Sequence, residues 1–259
     1  MEPHPPAWAA RLFAAYDALA LAAFRRTSTE TKADGTAVTD VDRETSRTAV
    51  ALLREEFPDH GILSEEEPEP WRPDAAWQWV LDPLDGTASF ARGHPVWGLG
   101  LGLMHRWAPV AGYLRFPALD ETYGCAEGKI TVNGQPWRPG GRTYTGDTFN
   151  VVTASRLHAD LPYERLREVK LRNYGSNLYH LLLVALERSE AAICPRCQLW
   201  DLAAALPFTQ AAGCVAAYLD GTPFDPAALM AGPGAPHRLP APLLVGPPEQ
   251  VAELRRLLA

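Results

Sequence analysis

The sequence predicts an α/β layered protein, and three observations carry that reading. Apolar stretches of helical period alternate with short apolar strands through both halves of the chain. One apolar run, Trp77-Gln78-Trp79-Val80-Leu81, ends in two carboxylates, Asp82-Pro83-Leu84-Asp85, and a Gly86-Thr87 step follows. A Pro/Gly tract at 135–147 separates a first half, 1–146, from a second, 147–259.

Residues 7–25 place Trp8, Leu12, Phe13, Tyr16, Leu19 and Ala23 on one helical face. The polar stretch 28–39, with Gly35, is a loop or hairpin. Residues 40–57 return to helical period and stop at Pro58-Asp59-His60-Gly61. Ile62-Leu63 is a short strand that runs into Ser64-Glu65-Glu66-Glu67, and 65–74 is a surface loop. Strands follow at 76–81, 96–104 and 108–115. Gly98, Gly100 and Gly102 alternate in the second of these, which thins it or admits a close backbone. Asn133-Gly134 signals a hairpin.

The second half predicts a strand at 149–154 and helices near 160–168 and at 176–188, the latter entered through Gly175-Ser176. A strand at 190–194 comes next. One helix from Asp201 bends at Pro207 and ends at Gly213. A strand at 214–219, a Pro/Gly-rich loop, a strand at 242–245 and a helix at 247–258 close the chain.

A net charge of −7 argues against a nucleic-acid polymer as partner, while a small anion remains open where bound metal reverses the local sign. No apolar run is long enough to cross a membrane, so none is expected as partner. Met1-Glu2-Pro3-His4-Pro5-Pro6 lacks a basic segment followed by an apolar one, which places the protein in the cytoplasm. Cys194-Pro195-Arg196-Cys197 follows a strand and has no second ligand pair, so we read two small strand or loop residues there.

Five acids stand at strand ends or helix starts: Asp42, Glu65, Asp82, Asp85 and Asp201. Singly, each also reads as a cap, a turn or a solvated residue. Together they suit a site of hard oxygen ligands for Mg²⁺. Buried acids need such an offset. Phosphoester hydrolysis needs an activated water and charge stabilisation on the phosphoryl oxygens, and metal ions supply both. The N–H groups of Gly86 and Thr87 at a helix start can hold the remaining oxygens. The Thr87 hydroxyl and the Asp42 carboxylate can orient and deprotonate the water.

These residues resemble the inositol monophosphatase family of Mg²⁺-dependent, lithium-sensitive phosphatases. Asp82-Pro-Leu-Asp85-Gly86-Thr87-x-x-Phe90 is similar to its first signature and Trp200-Asp201-Leu-Ala-Ala to its second. Ile62-Leu63-Ser64-Glu65-Glu66 resembles its acidic strand end. Thr39-x-x-Asp42, behind Lys32 and Gly35, resembles its upstream element. The resemblance implies an αβαβα five-layer sandwich, often dimeric. It implies that Glu65, Asp82 and the carbonyl of Leu84 hold one Mg²⁺ and that Asp82, Asp85 and Asp201 hold a second. A third, weaker ion near Glu65 and inhibition by Li⁺ are also implied, with Asp42 and Thr87 activating water.

The alcohol half of a small phosphorylated substrate is expected at Gly175, Ser176, Asn177 and Cys194. Family members that prefer inositol phosphates carry an acid seven residues before the second-signature Asp, and Cys194 stands there instead. Ser155-Arg156-Leu157-His158 and Pro195-Arg196 are similar to relatives acting on 3′(2′),5′-bisphosphate nucleotides. Histidinol phosphate and sugar phosphates stay open, because fold and metal site do not set substrate. Arg156 and Arg172 are candidate substrate contacts. Two competing readings are an aspartyl-phosphate phosphatase, disfavoured by the two-residue gap between the acids, and a non-catalytic binding protein.

Overall fold

Trp8, Leu12, Phe13, Tyr16 and Ala20 recur at helical spacing and are buried as one face of α1 (Ala7–Ala23) in the computed structural model. It describes residues 5–26, 28–32, 37–66, 72–140, 149–154, 161, 163–195, 197–231 and 237–259. A two-stranded hairpin, β1 (Glu30–Thr31) with β2 (Ala37–Val38), leads into α2 (Asp40–Glu56). Thr39 starts α2 through a capping box closed by Asp42, which satisfies N–H groups that a helix start leaves orphaned.

Seven strands then pair in chain order: β3 (Gly61–Ser64), β4 (Trp77–Asp85), β5 (Gly98–His105), β6 (Ala108–Phe116), β7 (Glu121–Ala126), β8 (Lys129–Val132) and β9 (Gln135–Pro136). Only β3 and β4 are parallel. The short α3 (Thr87–Ala91) lies between β4 and β5. Asn133 and Gly134 turn the last hairpin at φ 49° and 74°, as a type I′ turn requires.

The second sheet runs β11 (Lys170–Arg172), β10 (Asn150–Thr153), β12 (Ala191–Cys194), β14 (Leu243–Gly246), β13 (Val215–Tyr218). Its helices are α4 (Asn177–Ala185), α5 (Trp200–Ala203), α6 (Leu206–Ala211), α7 (Pro226–Met230) and α8 (Pro248–Leu258).

Five layers result. Helices α1 and α2 cover one face of the large sheet, α4, α5 and α6 fill the space between the sheets, and α8 covers the outer face of the second sheet. Strand alternation sorts the side chains. Leu99, Leu101 and Leu103 of β5 join the core under α1 and α2. Gly98, Gly100 and Gly102 face the other way, toward the middle layer. A Cβ on Gly102 would stand 2.6 Å from the backbone of Ala203, and one on Gly112 would stand 1.9 Å from the carbonyl of Ala204. The glycines are therefore what lets α5 lie directly on the sheet.

Some elements differ from expectation. Strand β4 continues through Pro83 to Asp85, four residues beyond 81, with a register shift between Asp82 and Asp85 absorbing the proline. The single helix expected from Asp201 is two, α5 and α6, with Pro207 in the first turn of the second. Over 160–168 the described residues form only a 3₁₀ turn, Tyr163–Leu166. The loop after β13 contains α7, capped by Asp225. Gly35, Ser155 to His158, Arg196 and most of the 135–147 tract lie outside the described residues.

Candidate active site

The parallel pairing of β3 with β4 brings their C-terminal ends to one edge, where α/β proteins build sites. Ser64 pairs with Leu81, and the Glu65 N–H donates to the Leu81 carbonyl at 3.2 Å, so Glu65 stands beside Asp82. Asp85 follows at the end of β4. Asp201 arrives from the opposite side on α5, which the glycine face seats against β4 and β5. Carboxylate oxygens of Asp82, Asp85 and Asp201 lie within 4.8 Å of one another.

Each acid has its own surroundings. Asp82 is 1% exposed. Burial holds its carboxyl well above the usual range, and Glu65, Asp85 and Asp201 add to the shift. Its Oδ1 accepts the Leu84 N–H at 3.1 Å. Asp85 sits at the start of α4 as a cap. It accepts the N–H groups of Asn177 at 3.2 Å and Leu178 at 2.8 Å, and the Ser176 hydroxyl. Burial raises Asp85 to about 6 in spite of these donors. Asp201 accepts the Gln198 N–H at 2.6 Å. Burial, then Asp85, push Asp201 up to about 7.

Glu65, beside the trio, meets Lys32, whose ammonium forks to Glu65 Oε1 at 2.8 Å and to Glu66. Burial of Glu65 outweighs that cation and raises its carboxyl to about 8.

Asp42 comes from α2. Its Oδ2 accepts the Thr39 N–H at 2.8 Å and the Thr39 hydroxyl at 2.5 Å, and its Oδ1 accepts the Thr87 hydroxyl at 2.9 Å. Burial raises Asp42 to about 6, against the pull of those donors. The Thr87 oxygen is also 2.9 Å from the Leu84 carbonyl. A hydroxyl has one proton, so it serves either Asp42 or Leu84 at a given moment. Gly86, at φ 87°, is the N-cap of α3, and a Cβ there would stand 3.0 Å from the carbonyls of Gly175 and Val96.

The donor set is carboxylate and carbonyl oxygen, buried, and short of internal cations. It fits Mg²⁺, a hard ion with oxygen ligands, and does not resemble a thiolate or imidazole site. The chain therefore brings Asp82, Asp85 and Asp201 together, sets Glu65 next to them, and places Asp42 and Thr87 in contact. Of the expected substrate contacts, Gly175 and Asn177 line a cavity beside Asp85. Ser176 turns inward to Asp85, and Cys194 is 1% exposed with its thiol pushed up to about 12 by burial, then by Asp201 and Asp85. All four thiols are free. Arg172 is exposed on β11.

Two roles escaped the sequence reading. Lys32 stands in the sequence only as a residue ahead of the Thr39-x-x-Asp42 element, and its reach across 33 positions to Glu65 carries no local signal. Ser176 supports Asp85 rather than facing the cavity, and its position as the α4 N-cap, accepting from the Tyr179 N–H, was the available clue.

The inositol monophosphatase family profile matches residues 7–244. A probable inositol 1-monophosphatase ImpA of Mycobacterium tuberculosis is 35% identical over 194 residues, 68% of this chain and 71% of that protein. A histidinol-phosphatase of Chlorobaculum parvum is 32% identical over 190 residues, 70% of this chain and 72% of that one. Among solved structures, Thermotoga maritima IMPase superposes with TM-score 0.79 at 23% identity, over 95% of this chain and 93% of that one. An IMPase/NADP phosphatase complexed with Mg²⁺ and phosphate gives 0.78 at 19%, over 96% and 91%. The profile match over nearly the whole sequence and the five-layer fold agree: the chain belongs to the inositol monophosphatase family.

Proposed function

We propose that the protein hydrolyses a small phosphomonoester by Mg²⁺-dependent attack of water. The observation that carries this reading is the convergence of Asp82, Asp85 and Asp201 within 4.8 Å, beside the Thr87–Asp42 pair. Glu65, Asp82 and the Leu84 carbonyl would hold one Mg²⁺, and Asp82, Asp85 and Asp201 a second. A third, weaker ion near Glu65 and inhibition by Li⁺ follow from family membership. When bound, Mg²⁺ supplies a Lewis acid for the phosphoryl oxygens and lowers the pKa of a bound water.

The protein's own groups do the rest. Thr87 donates its proton to Asp42 Oδ1 and so presents a lone pair that orients the attacking water. Asp42, at about 6, is mostly ionised at neutral pH and can take up the proton released. The N–H groups of Gly86 and Thr87 bind phosphoryl oxygens in the gap beside Asp85. Asp85 itself is fixed by α4, which keeps its oxygens from swinging toward the phosphate.

Residues 1–146 supply the metal-binding signatures and 147–259 complete the site with Asp201 and the 173–177 loop. Cys194 stands where inositol-phosphate enzymes carry an acid, so inositol specificity stays open, and 3′(2′),5′-bisphosphate nucleotides, histidinol phosphate and sugar phosphates are the alternatives. We place the protein in the cytoplasm as a homodimer; no helix among the described residues is long and apolar enough to cross a membrane. Phosphate release from p-nitrophenyl phosphate and inositol 1-phosphate, with Mg²⁺ and with EDTA, tests the reading. Metal-dependent release is expected. Equal rates in both buffers, or none with any phosphomonoester, would overturn it.

A further inference from the structure

Residues 173–176 join β11 to α4, and Asn173, Tyr174 and Gly175 form one wall of the cavity beside Asp85, about 420 Å³ in volume. A connection of this kind must find partners for its N–H groups outside any helix or sheet ladder. The Gly175 N–H donates to Asn173 Oδ1 at 2.8 Å, which closes a local turn. The Tyr174 N–H donates to His180 Nε2 at 2.9 Å. That second bond fastens the cavity wall to the body of α4.

His180 is 2% exposed. Helical side chains lean toward the helix start, so a ring at the fourth residue of α4 reaches back past the Ser176 cap to residue 174. An Nε2 that accepts carries no proton, which puts the proton of the neutral ring on Nδ1. Burial holds the imidazole down to about 4, so Nε2 stays an acceptor at neutral pH. Tyr174 is the large side chain fixed in this way. Its ring stands edge-on to Tyr179 at 6.0 Å and lies 6.1 Å from the His180 ring, and Tyr179 in turn packs on Phe116 at 5.1 Å. The backbone bond and the ring contacts hold the phenol at the cavity wall with Tyr174 40% exposed. A wall set in place beforehand lowers the ordering cost of binding what lies against it.

Resting on the phosphatase reading above, we propose that His180 is a positioning residue: its Nε2 fixes the Tyr174 backbone and so places the phenol against the leaving alcohol of the substrate. The phosphoryl half does not depend on it.

Two ligands separate the halves: p-nitrophenyl phosphate as substrate with Mg²⁺, and inorganic phosphate as inhibitor, which carries no alcohol. In His180→Leu the KM for p-nitrophenyl phosphate should rise about fivefold, the size of one buried hydrogen bond lost, with kcat little changed. The Ki of inorganic phosphate and the Mg²⁺ concentration for half-activation should stay within about twofold of the parent. His180→Gln, whose Oε1 can stand near the Nε2 position, should restore most of the KM. A KM unmoved in His180→Leu, a KM raised equally in both variants, or a Ki and Mg²⁺ midpoint that move along with KM would overturn the assignment. Tyr174→Ala leaves α4 whole and decides the matter even where His180→Leu fails to fold. It should raise KM by a similar factor, and His180→Leu added to it should raise KM less than about twofold further. An unchanged KM in Tyr174→Ala, or two independent increases, would count against the coupling and end the proposal. If the parent releases phosphate with Mg²⁺ while these tests fail, only the His180 assignment falls. If the parent releases none, the phosphatase reading falls and takes the assignment with it.

Discussion

Asp17 and Asp82 are both carboxylates held against the large sheet, and they are balanced in different ways. Asp17, on α1, meets the Arg115 guanidinium of β6, with Nε at 2.9 and 3.1 Å and Nη2 at 2.6 Å. Arg115 also reaches Asp120 at 2.9 Å and the Thr122 hydroxyl at 3.2 Å. The charges are matched inside the protein, and the cluster ties α1 to the sheet. Around Asp82 four carboxylates gather, and among the described residues Lys32 is the cation in contact with them. Their pKa values rise instead. The first cluster contributes to stability and needs nothing else. The second costs stability in the protein alone and is completed by what it binds, the usual relation between a site and its scaffold.

Neutralising the centre of the second cluster is the harshest way to break that contrast. Asp82→Asn removes the carboxylate shared by the two proposed ion positions. We expect kcat/KM to fall by roughly 10³-fold, about 4 kcal/mol of barrier, and Mg²⁺ binding by calorimetry to weaken. In EDTA the same variant should melt at a higher temperature than the parent, because one acid has gone from a crowded, buried group of acids. Undiminished turnover would remove Asp82 from the metal site.

Changing pH tunes the same cluster without mutation. Asp85 and Asp201 stand at about 6 and 7 in the fold, above the ordinary value near 4 of an unfolded chain. Between those values the folded protein carries more bound protons than the unfolded one. Its stability without metal is therefore complete below about pH 4 and is lost as pH rises from there through about 6 and 7. The Tm in EDTA should drop by several degrees from about pH 4.5 to about pH 7.5, and saturating Mg²⁺ should abolish most of the drop. A Tm in EDTA that climbs across this window contradicts the charge assignment.

The first cluster gives the opposite pattern. Asp17→Asn leaves Arg115 partly unpaired at 12% exposure and should cost about 2 kcal/mol, a fall of roughly 5 °C in Tm. Mg²⁺-dependent kcat/KM should stay within experimental error of the parent, since Asp17 touches none of the site. Equal Tm values for variant and parent would mean that the guanidinium finds water at no cost.

These two clusters were unequally legible in the sequence. The acid site was readable because each member sits beside a local signal. A strand ends at Asp82, Thr39-x-x-Asp42 has capping-box spacing, and Asp201 opens a small-residue run. The alternating Gly98, Gly100 and Gly102 announced a close approach, which α5 makes. The Arg115–Asp17 pair spans 98 positions and carries no local mark, so only the packed fold reveals it. The same limit hid the Lys32 fork. Helix period over 201–213 was real, but the Ala204-Ala205 break could not be seen in it, because the flat glycine surface beneath and Pro207 decide where α5 gives way to α6. Near 160–168 the local pattern predicted a helix, and tertiary context left one 3₁₀ turn among the described residues.

Cys194→Glu adds a further acid to the second cluster and is the mildest way to sharpen the comparison. The thiol is buried at the end of β12, within electrostatic reach of Asp201 and Asp85. A carboxylate there meets charges of its own sign, so the variant in EDTA should melt lower than the parent, the reverse of Asp82→Asn. With Mg²⁺ bound the local sign changes, and the new acid can accept hydroxyl protons from a polyol. Activity on inositol 1-phosphate should then rise relative to p-nitrophenyl phosphate by about threefold, less than 1 kcal/mol. A carboxylate that only disturbed packing would lower both substrates alike. An unchanged ratio would show that position 194 supports the strand end and does not read the alcohol.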